Sequence, residues 1–314
     1  MAARGERLGG PRFGLPADSI LYAPDTGATA GGDPVVDSLK FEIPEAFRFT
    51  IPEYREGQLL KDKGVLLTGV GRGIDNSLGP AIAREFGAQG ARLVLTATEG
   101  SREQGESLVQ ELQGKGIEAY WLPADLTNPE APARLIEETV NRFGRLDIVG
   151  SNHGVREDGS FMDLPDEAFD KLWQVKGMSN VRLFRAAFKQ MRDQSPRGGV
   201  LIATSSIANE GSPGQAPYSM LNGATRSLVK TLSREGIYSK IRANVVSPGL
   251  VPGTEMTKPL TEKDEKRVLK LAGMPEGINT QDVALAYLYF AAETTGNLTG
   301  QEMQVLYRGQ VQAA

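Results

Sequence analysis

The sequence of 314 residues contains no cysteine and a single histidine, His153. Without cysteine, the chain has no disulfide, no thiolate nucleophile and no cysteine-liganded zinc site. A single histidine also leaves out histidine metal clusters and disfavours a Ser–His–Asp triad. We therefore expect no metal site, and we interpret His153 as a packing or hydrogen-bonding residue at the end of a strand.

The chain also lacks the usual features of membrane and nucleic-acid-binding proteins. It has no apolar run of about 18 residues, the length that spans a bilayer. The N-terminal segment has no apolar core of the kind found in secretory signals. The formal net charge is −4, which gives no excess of positive charge for nucleic acid or anionic lipid. We expect a cytoplasmic protein that binds neither nucleic acid nor a membrane.

Apolar runs alternate with amphipathic segments from residue 61 onward. The apolar runs predict strands at 64–70, 91–98, 117–126, 146–154, 198–206, 241–249 and 302–307. The segments between them predict helices at 79–90, 102–116, 128–144, 166–193, 218–236 and 281–293. Strands separated by helices form a parallel sheet covered on both faces. We predict an α/β fold with a doubly wound, mostly parallel sheet and ligands at the carboxyl ends of the strands.

Residues 1–60 differ in composition from this pattern, so we assign them to an N-terminal extension and residues 61–314 to one domain. Gly, Pro, Ala and Asp dominate up to about residue 40, without helical or strand periodicity. Residues 41–54 are richer in aromatic and isoleucine side chains. We hypothesise that they form an arm that wraps the domain or a neighbouring subunit; an ordered extension without function is the alternative.

A glycine-rich loop follows the first predicted strand. Its glycines are Gly69, Gly71, Gly73 and Gly79. Residues without a side chain let the backbone approach a pyrophosphate closely, and the helix that follows offers free N–H groups and a positive dipole end. Such a loop after the first strand of an α/β pattern predicts a dinucleotide site.

The choice of nicotinamide cofactor depends on the end of the second strand. An enzyme that uses NAD usually has Asp or Glu there to bind the adenosine ribose. Here the strand ends at Thr98, and Glu99 follows slightly late. Arg72, inside the glycine loop, is placed to pair with a 2′-phosphate. We favour NADP(H) over NAD(H), although Glu99 turning back to the ribose would reverse this preference.

Further cofactor contacts are expected where the later strands end. These are Thr98, Asp125, Leu126, Asn152, Gly154, Pro248, Gly249, Val251 and Thr254. Residues 250–278 mix proline, glycine and charge around a short helical piece, and we expect them to form a mobile lid over the substrate.

The segment 204–222 carries the candidate catalytic groups. Ser205 and Ser206 end an apolar run, and Tyr218 follows with Asn222 four residues later. If Tyr218 opens a helix, Asn222 lies one turn away on the same face. A tyrosine opposite a serine suits the reduction of a carbonyl, in which a proton must reach the developing alkoxide. We favour Ser206 as the serine that holds the carbonyl oxygen, with Ser205 as the alternative.

With these residues in place, the chain resembles the short-chain dehydrogenase/reductase family from about residue 61 to 309. The matching pieces are TGVGRG at 68–73, ADL at 124–126, SNHG at 151–154, the serine, the tyrosine and SPG at 247–249. The resemblance implies a Rossmann-type domain, a nicotinamide cofactor and a Ser–Tyr–Lys site. Relatives are commonly dimers or tetramers, so it also implies a homodimer or homotetramer.

One departure from the family pattern is informative. The usual Tyr-x-x-x-Lys is Tyr-x-x-x-Asn here, and Lys176 stands in the preceding helix where the family has a catalytic asparagine. This exchange resembles the ketoreductase domains of polyketide and fatty-acid synthases. An ammonium near the phenol lowers the tyrosine pKa, whichever helix carries it. The resemblance implies that Lys176 acts on Tyr218 and binds ribose, and that Asn222 supports the lysine.

These observations predict the reduction of a ketone by NADPH, with Tyr218 as the proton donor. The resemblance suggests a β-keto thioester or a polyketide-like ketone as the substrate. Two alternatives stay open. An enoyl reductase is suggested by about four extra residues in the glycine loop, 75–78. A non-catalytic NADP(H)-binding scaffold would explain the missing lysine after Tyr218.

Overall fold

The computed structural model describes residues 58–71, 73 and 76–306. The predicted arm at 41–54 and the candidate phosphate ligand Arg72 lie outside the described residues. So does nearly all of the predicted extension.

The described chain is built around a parallel sheet of seven strands. The strands are β1 (Gly64–Thr68), β2 (Arg92–Thr96), β3 (Ala119–Trp121), β4 (Ile148–Ser151), β5 (Gly199–Thr204), β6 (Ile241–Pro248) and β7 (Glu302–Val305). Their order across the sheet is β3-β2-β1-β4-β5-β6-β7, and every pairing is parallel. The chain changes direction across the sheet between β1 and β4. A crevice therefore opens beyond the carboxyl ends of these two strands, where such sheets bind ligands.

Eight α-helices of the described residues cover the two faces of this sheet. They are α1 (Leu78–Ala88), α2 (Arg102–Gly114), α3 (Ala131–Phe143), α4 (Asp166–Leu172), α5 (Ser179–Asp193), α6 (Ala216–Glu235), α7 (Glu262–Ala272) and α8 (Thr280–Ala291). One apolar core lies under α1, α2 and α8, and the other lies under α3, α5 and α6. The predicted doubly wound α/β sheet is confirmed. Among the described helices, none is long and apolar enough to cross a membrane.

The third and fourth strands are shorter than the apolar runs that predicted them. Regular pairing of β3 with β2 ends at Trp121, although the N–H groups of Leu122 and Ala124 still donate to the carbonyl oxygens of Leu95 and Ala97 at 3.0 and 2.8 Å. The run predicted as 146–154 pairs only over β4, and its last residues, Asn152 to Gly154, turn into the crevice loop. The residues beyond the regular strands are those expected to meet a ligand.

The helix predicted at 166–193 contains a π-helical segment, Trp173–Met178, between α4 and α5. A π-helical segment places one more residue in each turn and is frequent at functional sites. Lys176 lies inside this segment and is buried. The irregular turn therefore places the candidate lysine under the crevice.

Candidate active site

The glycine loop packs backbone against backbone at the mouth of the crevice. Gly69 has φ +71°, and a Cβ there would lie 2.6 Å from the backbone nitrogen of His153. A Cβ on Gly79 would lie 2.4 Å from the carbonyl oxygen of Gly69. Both positions exclude any side chain, so the loop, β4 and the start of α1 are held at close approach.

The outer part of the glycine loop, at Gly71 and Gly73, also leaves no space for side chains. A Cβ on Gly71 would lie 2.2 Å from the Cβ of Ser101, and Gly73 has φ +61°. These bare backbone positions precede the N-terminus of α1, whose first N–H groups have no helical acceptor. The loop thus forms a cradle of the kind that fits a dinucleotide pyrophosphate.

The side chain of Asn152 joins the ends of three strands. Its Nδ2 donates to the carbonyl oxygen of Gly69 at 3.1 Å, and its Oδ1 accepts from Thr204 Oγ1 at 2.9 Å. The hydroxyls of Thr204 and Tyr287 are 2.6 Å apart. Asn152 therefore fixes the floor of the crevice through its side chain, and Gly154, two residues later, lies next to Lys176, where a Cβ would be 3.6 Å from Nζ.

His153 connects β1 to the first turn of α5. Its Nδ1 lies 2.8 Å from Thr68 Oγ1, and its Nε2 lies 2.7 Å from Ser179 Oγ. Burial lowers the pKa of the His153 imidazole to about 3, with a smaller contribution from the charge of Lys176. Both ring nitrogens are engaged in the protein interior, as expected of a residue with a structural role.

This depressed pKa predicts a loss of stability in weak acid. The unfolded chain takes up a proton below about pH 6.5, but folded His153 resists protonation down to about pH 3. The free energy of unfolding should therefore fall as the pH drops through this window, by up to about 1.4 kcal/mol per unit. Urea unfolding at pH 7, 6 and 5 measures the slope, and His153→Gln should reduce it. Parallel slopes for the two proteins would contradict the assignment.

Tyr218 lies in the first turn of α6 with its phenol in the crevice. Burial raises the pKa of the phenol, while hydrogen bonds to Ser206 and Asn222 oppose that rise. Asn222 Nδ2 also donates to the carbonyl oxygen of Tyr218 at 2.8 Å, one helical turn away. The phenol oxygen lies 3.8 Å from the sulfur of Met256, in the segment predicted to act as a lid.

The two serines have different surroundings. Ser205 is buried, and its hydroxyl donates to the carbonyl oxygen of Asn222 at 3.2 Å. Ser206 accepts from the N–H of Ala208 at 3.2 Å and reaches the phenol of Tyr218. The structure therefore places Ser206 beside the phenol and Ser205 behind it, against the helix backbone.

The Lys176 side chain reaches the same place from the π-helical segment. Only 3% of the residue is exposed. Its Nζ donates to the carbonyl oxygen of Thr204 at 3.1 Å and lies 5.9 Å from the centre of the Tyr218 ring. Burial lowers the pKa of the ammonium to about 8. A positive charge is therefore present beside the phenol, although no lysine follows it in the helix.

Asn222 leaves an unsatisfied acceptor at this point. Its Oδ1 is buried and has no hydrogen-bond partner among the described residues. Buried amide oxygens are rarely left unpaired in native proteins. A water or a bound ligand that donates to this oxygen would complete the site.

The residues predicted to contact the adenosine differ in their exposure. Thr98 is exposed, while the Glu99 carboxylate accepts from Arg102 Nη2 at 3.0 Å. Asp125 is exposed and its carboxylate accepts from the N–H of Thr127 at 2.9 Å. Leu126 is buried in the core beneath them. Glu99 is thus held by a neighbouring arginine.

The contacts predicted after β6 lie in a compact turn. Pro248 ends β6, and a Cβ on Gly249 would lie 2.5 Å from the sulfur of Met274. Val251 and Thr254 are buried, and the Thr254 hydroxyl donates to the carbonyl oxygen of Val251 at 3.3 Å. This turn leads from the sheet into the predicted lid.

Comparisons with known proteins identify the family. A family model described as Enoyl-(Acyl carrier protein) reductase matches residues 72–305. Versicolorin reductase 1 of Aspergillus parasiticus is 38% identical over 194 residues, which are 61% of this chain and 71% of that protein. The 3-oxoacyl-[acyl-carrier-protein] reductase of Staphylococcus epidermidis is 27% identical over 246 residues, 78% of this chain and 97% of that protein.

The solved structures agree with this result. A mutant short-chain dehydrogenase/reductase from Serratia marcescens superposes with a TM-score of 0.71 and 27% identity, covering 80% of this chain and 98% of that one. The fold and crevice define an α/β protein of the nucleotide-binding class, and the family model and the relatives identify it as an oxidoreductase. The chain belongs to the short-chain dehydrogenase/reductase family, which binds a nicotinamide cofactor.

Proposed function

We propose that this protein reduces a ketone to an alcohol with NADPH. The observation that carries the proposal is the placement of three groups: the Ser206 hydroxyl is near enough to the Tyr218 phenol to lower its pKa, and Lys176 Nζ lies 5.9 Å from the centre of the Tyr218 ring. A carbonyl oxygen between the serine and the tyrosine has a hydrogen-bond donor on each side. The nicotinamide, when bound, supplies the hydride.

Residues of the chain itself then donate the proton and stabilise the phenolate that remains. Ser206 holds the carbonyl oxygen, and Tyr218 donates its proton as charge develops there. The positive charge of Lys176 favours the phenolate that is left behind. The free Oδ1 of Asn222 accepts from a water or hydroxyl that links the lysine to the tyrosine.

The cofactor would be held from the glycine loop to the turn after β6. Gly69, Gly71, Gly73 and Gly79 present backbone to the pyrophosphate, because a side chain at each would collide with its neighbours. Lys176 is the candidate for the nicotinamide ribose, and the turn at Val251 is the candidate for the carboxamide.

The preference for NADPH rests on Arg72 and on the engagement of Glu99 by Arg102. Arg72→Ala should lower the affinity for NADPH by about tenfold and leave that for NADH within about twofold, since a charge-assisted hydrogen bond to the 2′-phosphate is lost. Titration of the protein with each cofactor measures both constants. Arg84→Ala, outside the glycine loop, is a control. An unchanged ratio of the two affinities would show that Arg72 does not bind the 2′-phosphate.

The substrate we propose is a β-keto thioester or a polyketide-like ketone. Support comes from two relatives named as reductases, one of versicolorin type and one of 3-oxoacyl groups on an acyl carrier protein. We also propose a homodimer or homotetramer, as the family resemblance implies.

The second candidate is reduction of a C=C bond, which the description of the matching family model favours. The purified protein, NADPH and matched β-keto and enoyl thioesters distinguish the two by loss of absorbance of the reduced cofactor. We expect consumption with the β-keto compound only. Consumption with the enoyl compound only would favour the second candidate, and cofactor binding without consumption of either would favour a non-catalytic scaffold.

A further inference from the structure

Arg156 is a nearly buried cation that the proposed mechanism does not use. It comes two residues after the SNHG segment, in the loop that leaves β4. Its side chain is 14% exposed, and its Nε lies 2.9 Å from a carboxylate oxygen of Asp158. The residue before it, Val155, packs on the apolar cluster that contains Tyr218 and Leu221. The loop is therefore part of the wall of the crevice.

Two hydrogen bonds fix this loop to the start of α6. Gln215 Nε2 donates to Asp158 Oδ1 at 3.0 Å, and the N–H of Gly159 donates to the carbonyl oxygen of Gly214 at 2.9 Å. Gln215 directly precedes α6, three residues before Tyr218. The position of the guanidinium is thus coupled to the position of the phenol through a short chain of contacts.

The phenol responds to both charges in this loop. Burial raises its pKa and hydrogen bonds to Ser206 and Asn222 lower it; beyond these, the charge of Arg156 lowers the pKa and the charge of Asp158 raises it. The contacts of Val155 and Gln215 place this loop beside Tyr218, in agreement with these opposite effects on the phenol's pKa.

The guanidinium of Arg156 has N–H donors that are not engaged by the described residues. Asp158 engages its Nε, and among the described residues no acceptor is found for its two terminal nitrogens. A guanidinium carries five N–H donors and pairs best with two oxygens at once. Glu157 next to it pairs instead with Lys171, and both of those side chains are more exposed. Arg156 is the charged residue of this loop that keeps donors free within the crevice wall.

We propose that Arg156 binds a second oxygen of the substrate, so that the site selects ketones carrying another carbonyl or carboxylate oxygen near the reacting one, as 1,3-dicarbonyl compounds do. This inference rests on the proposed ketone reduction and adds the residue that recognises the second oxygen of the substrate. The ketone oxygen lies between Ser206 and Tyr218, and the second oxygen accepts from the terminal nitrogens of Arg156. Asp158 and Gln215 act as positioning residues that hold the guanidinium.

Matched substrates test the proposal on the full-length protein. Ethyl acetoacetate carries the second oxygen, and 2-hexanone is an unbranched ketone of similar length that lacks it. Arg156→Gln should raise KM for ethyl acetoacetate by about tenfold or more, because a charge-assisted hydrogen bond is lost. Its kcat, and both constants for 2-hexanone, should change by less than about threefold. Glu157→Gln is the matched control and should leave all four values near those of the wild type.

The outcomes separate this proposal from the one on which it depends. If the wild type reduces both ketones and Arg156→Gln changes both KM values equally or neither, the second-oxygen site is wrong and the ketone reductase stands. If the wild type consumes NADPH with neither of these ketones nor the β-keto thioester, the proposed function fails and the subsite fails with it. NADPH titration and the melting temperature of each variant show whether a loss comes from unfolding; for an unfolded Arg156→Gln, Arg156→Met, which also removes the charge and the N–H donors, gives the same comparison.

Discussion

Replacing Tyr218 with phenylalanine should lower kcat for ketone reduction by about a thousandfold, because a positioned general acid contributes about 10²–10⁴ to a rate. The phenol is the acidic group that the fold places beside Ser206, and phenylalanine keeps the ring in its apolar cluster. The affinity for NADPH should stay within about threefold of the wild type. Steady-state kinetics with a β-keto substrate and a cofactor titration measure the two effects.

A second buried tyrosine provides the control for this change. Tyr287 is also buried, and its hydroxyl lies 2.6 Å from that of Thr204 and donates to the carbonyl oxygen of Ser151 at 3.3 Å. Tyr287→Phe should cost about 2 kcal/mol in the free energy of unfolding, the usual value of two hydrogen bonds, and reduce kcat only a few-fold. If Tyr218→Phe keeps more than about a tenth of kcat, the proton must come from another group.

The fold was predictable because its two periodicities are local. Strands buried on both faces are continuous apolar runs, and surface helices have a 3.6-residue period, so each element could be assigned within its own segment. The errors lie at the strand ends, where regular pairing stops at Trp121 and Ser151, before the apolar runs end. Bounds there depend on the neighbouring strand, which a local pattern does not contain.

The site was predictable only in part, for the same reason. The spacing of Tyr218 and Asn222 on one helix face is local, and the structure has that geometry. The contact between Asp158 and Gln215 joins residues 57 apart in the chain, so no spacing indicates it. The π-helical segment around Lys176 contains Gly177, but no spacing in the sequence distinguishes it from an ordinary α-helix. Arg156, which we propose binds a second substrate oxygen, was therefore not predicted as a site residue, although its position two residues after the SNHG segment places it near the crevice.

Replacing Lys176 with asparagine should lower kcat/KM by about a hundredfold, because the phenolate formed at Tyr218 would lose the buried charge beside it.

The pH dependence of kcat/KM should also reflect the charge of Lys176. Burial lowers the pKa of Lys176 to about 8, so its ammonium is lost as the pH rises through that value. The wild-type kcat/KM should fall above about pH 8, and the residual activity of Lys176→Asn should lack this decline. A pH profile of both proteins from pH 6 to 10 measures the difference.

The double variant Lys176→Asn/Asn222→Lys restores the family's usual order of the two residues and tests whether position alone matters. Residue 222 lies one turn after Tyr218 on the same face of α6 and is buried, so a lysine there carries its charge back toward the phenol. Asn222→Lys alone crowds two cations into one buried place and should impair activity. The double variant should exceed each single variant by at least about tenfold, a non-additivity expected of residues that act as one unit. A folded, NADPH-binding double variant no more active than Lys176→Asn would show that the ammonium is needed at the π-helical segment itself.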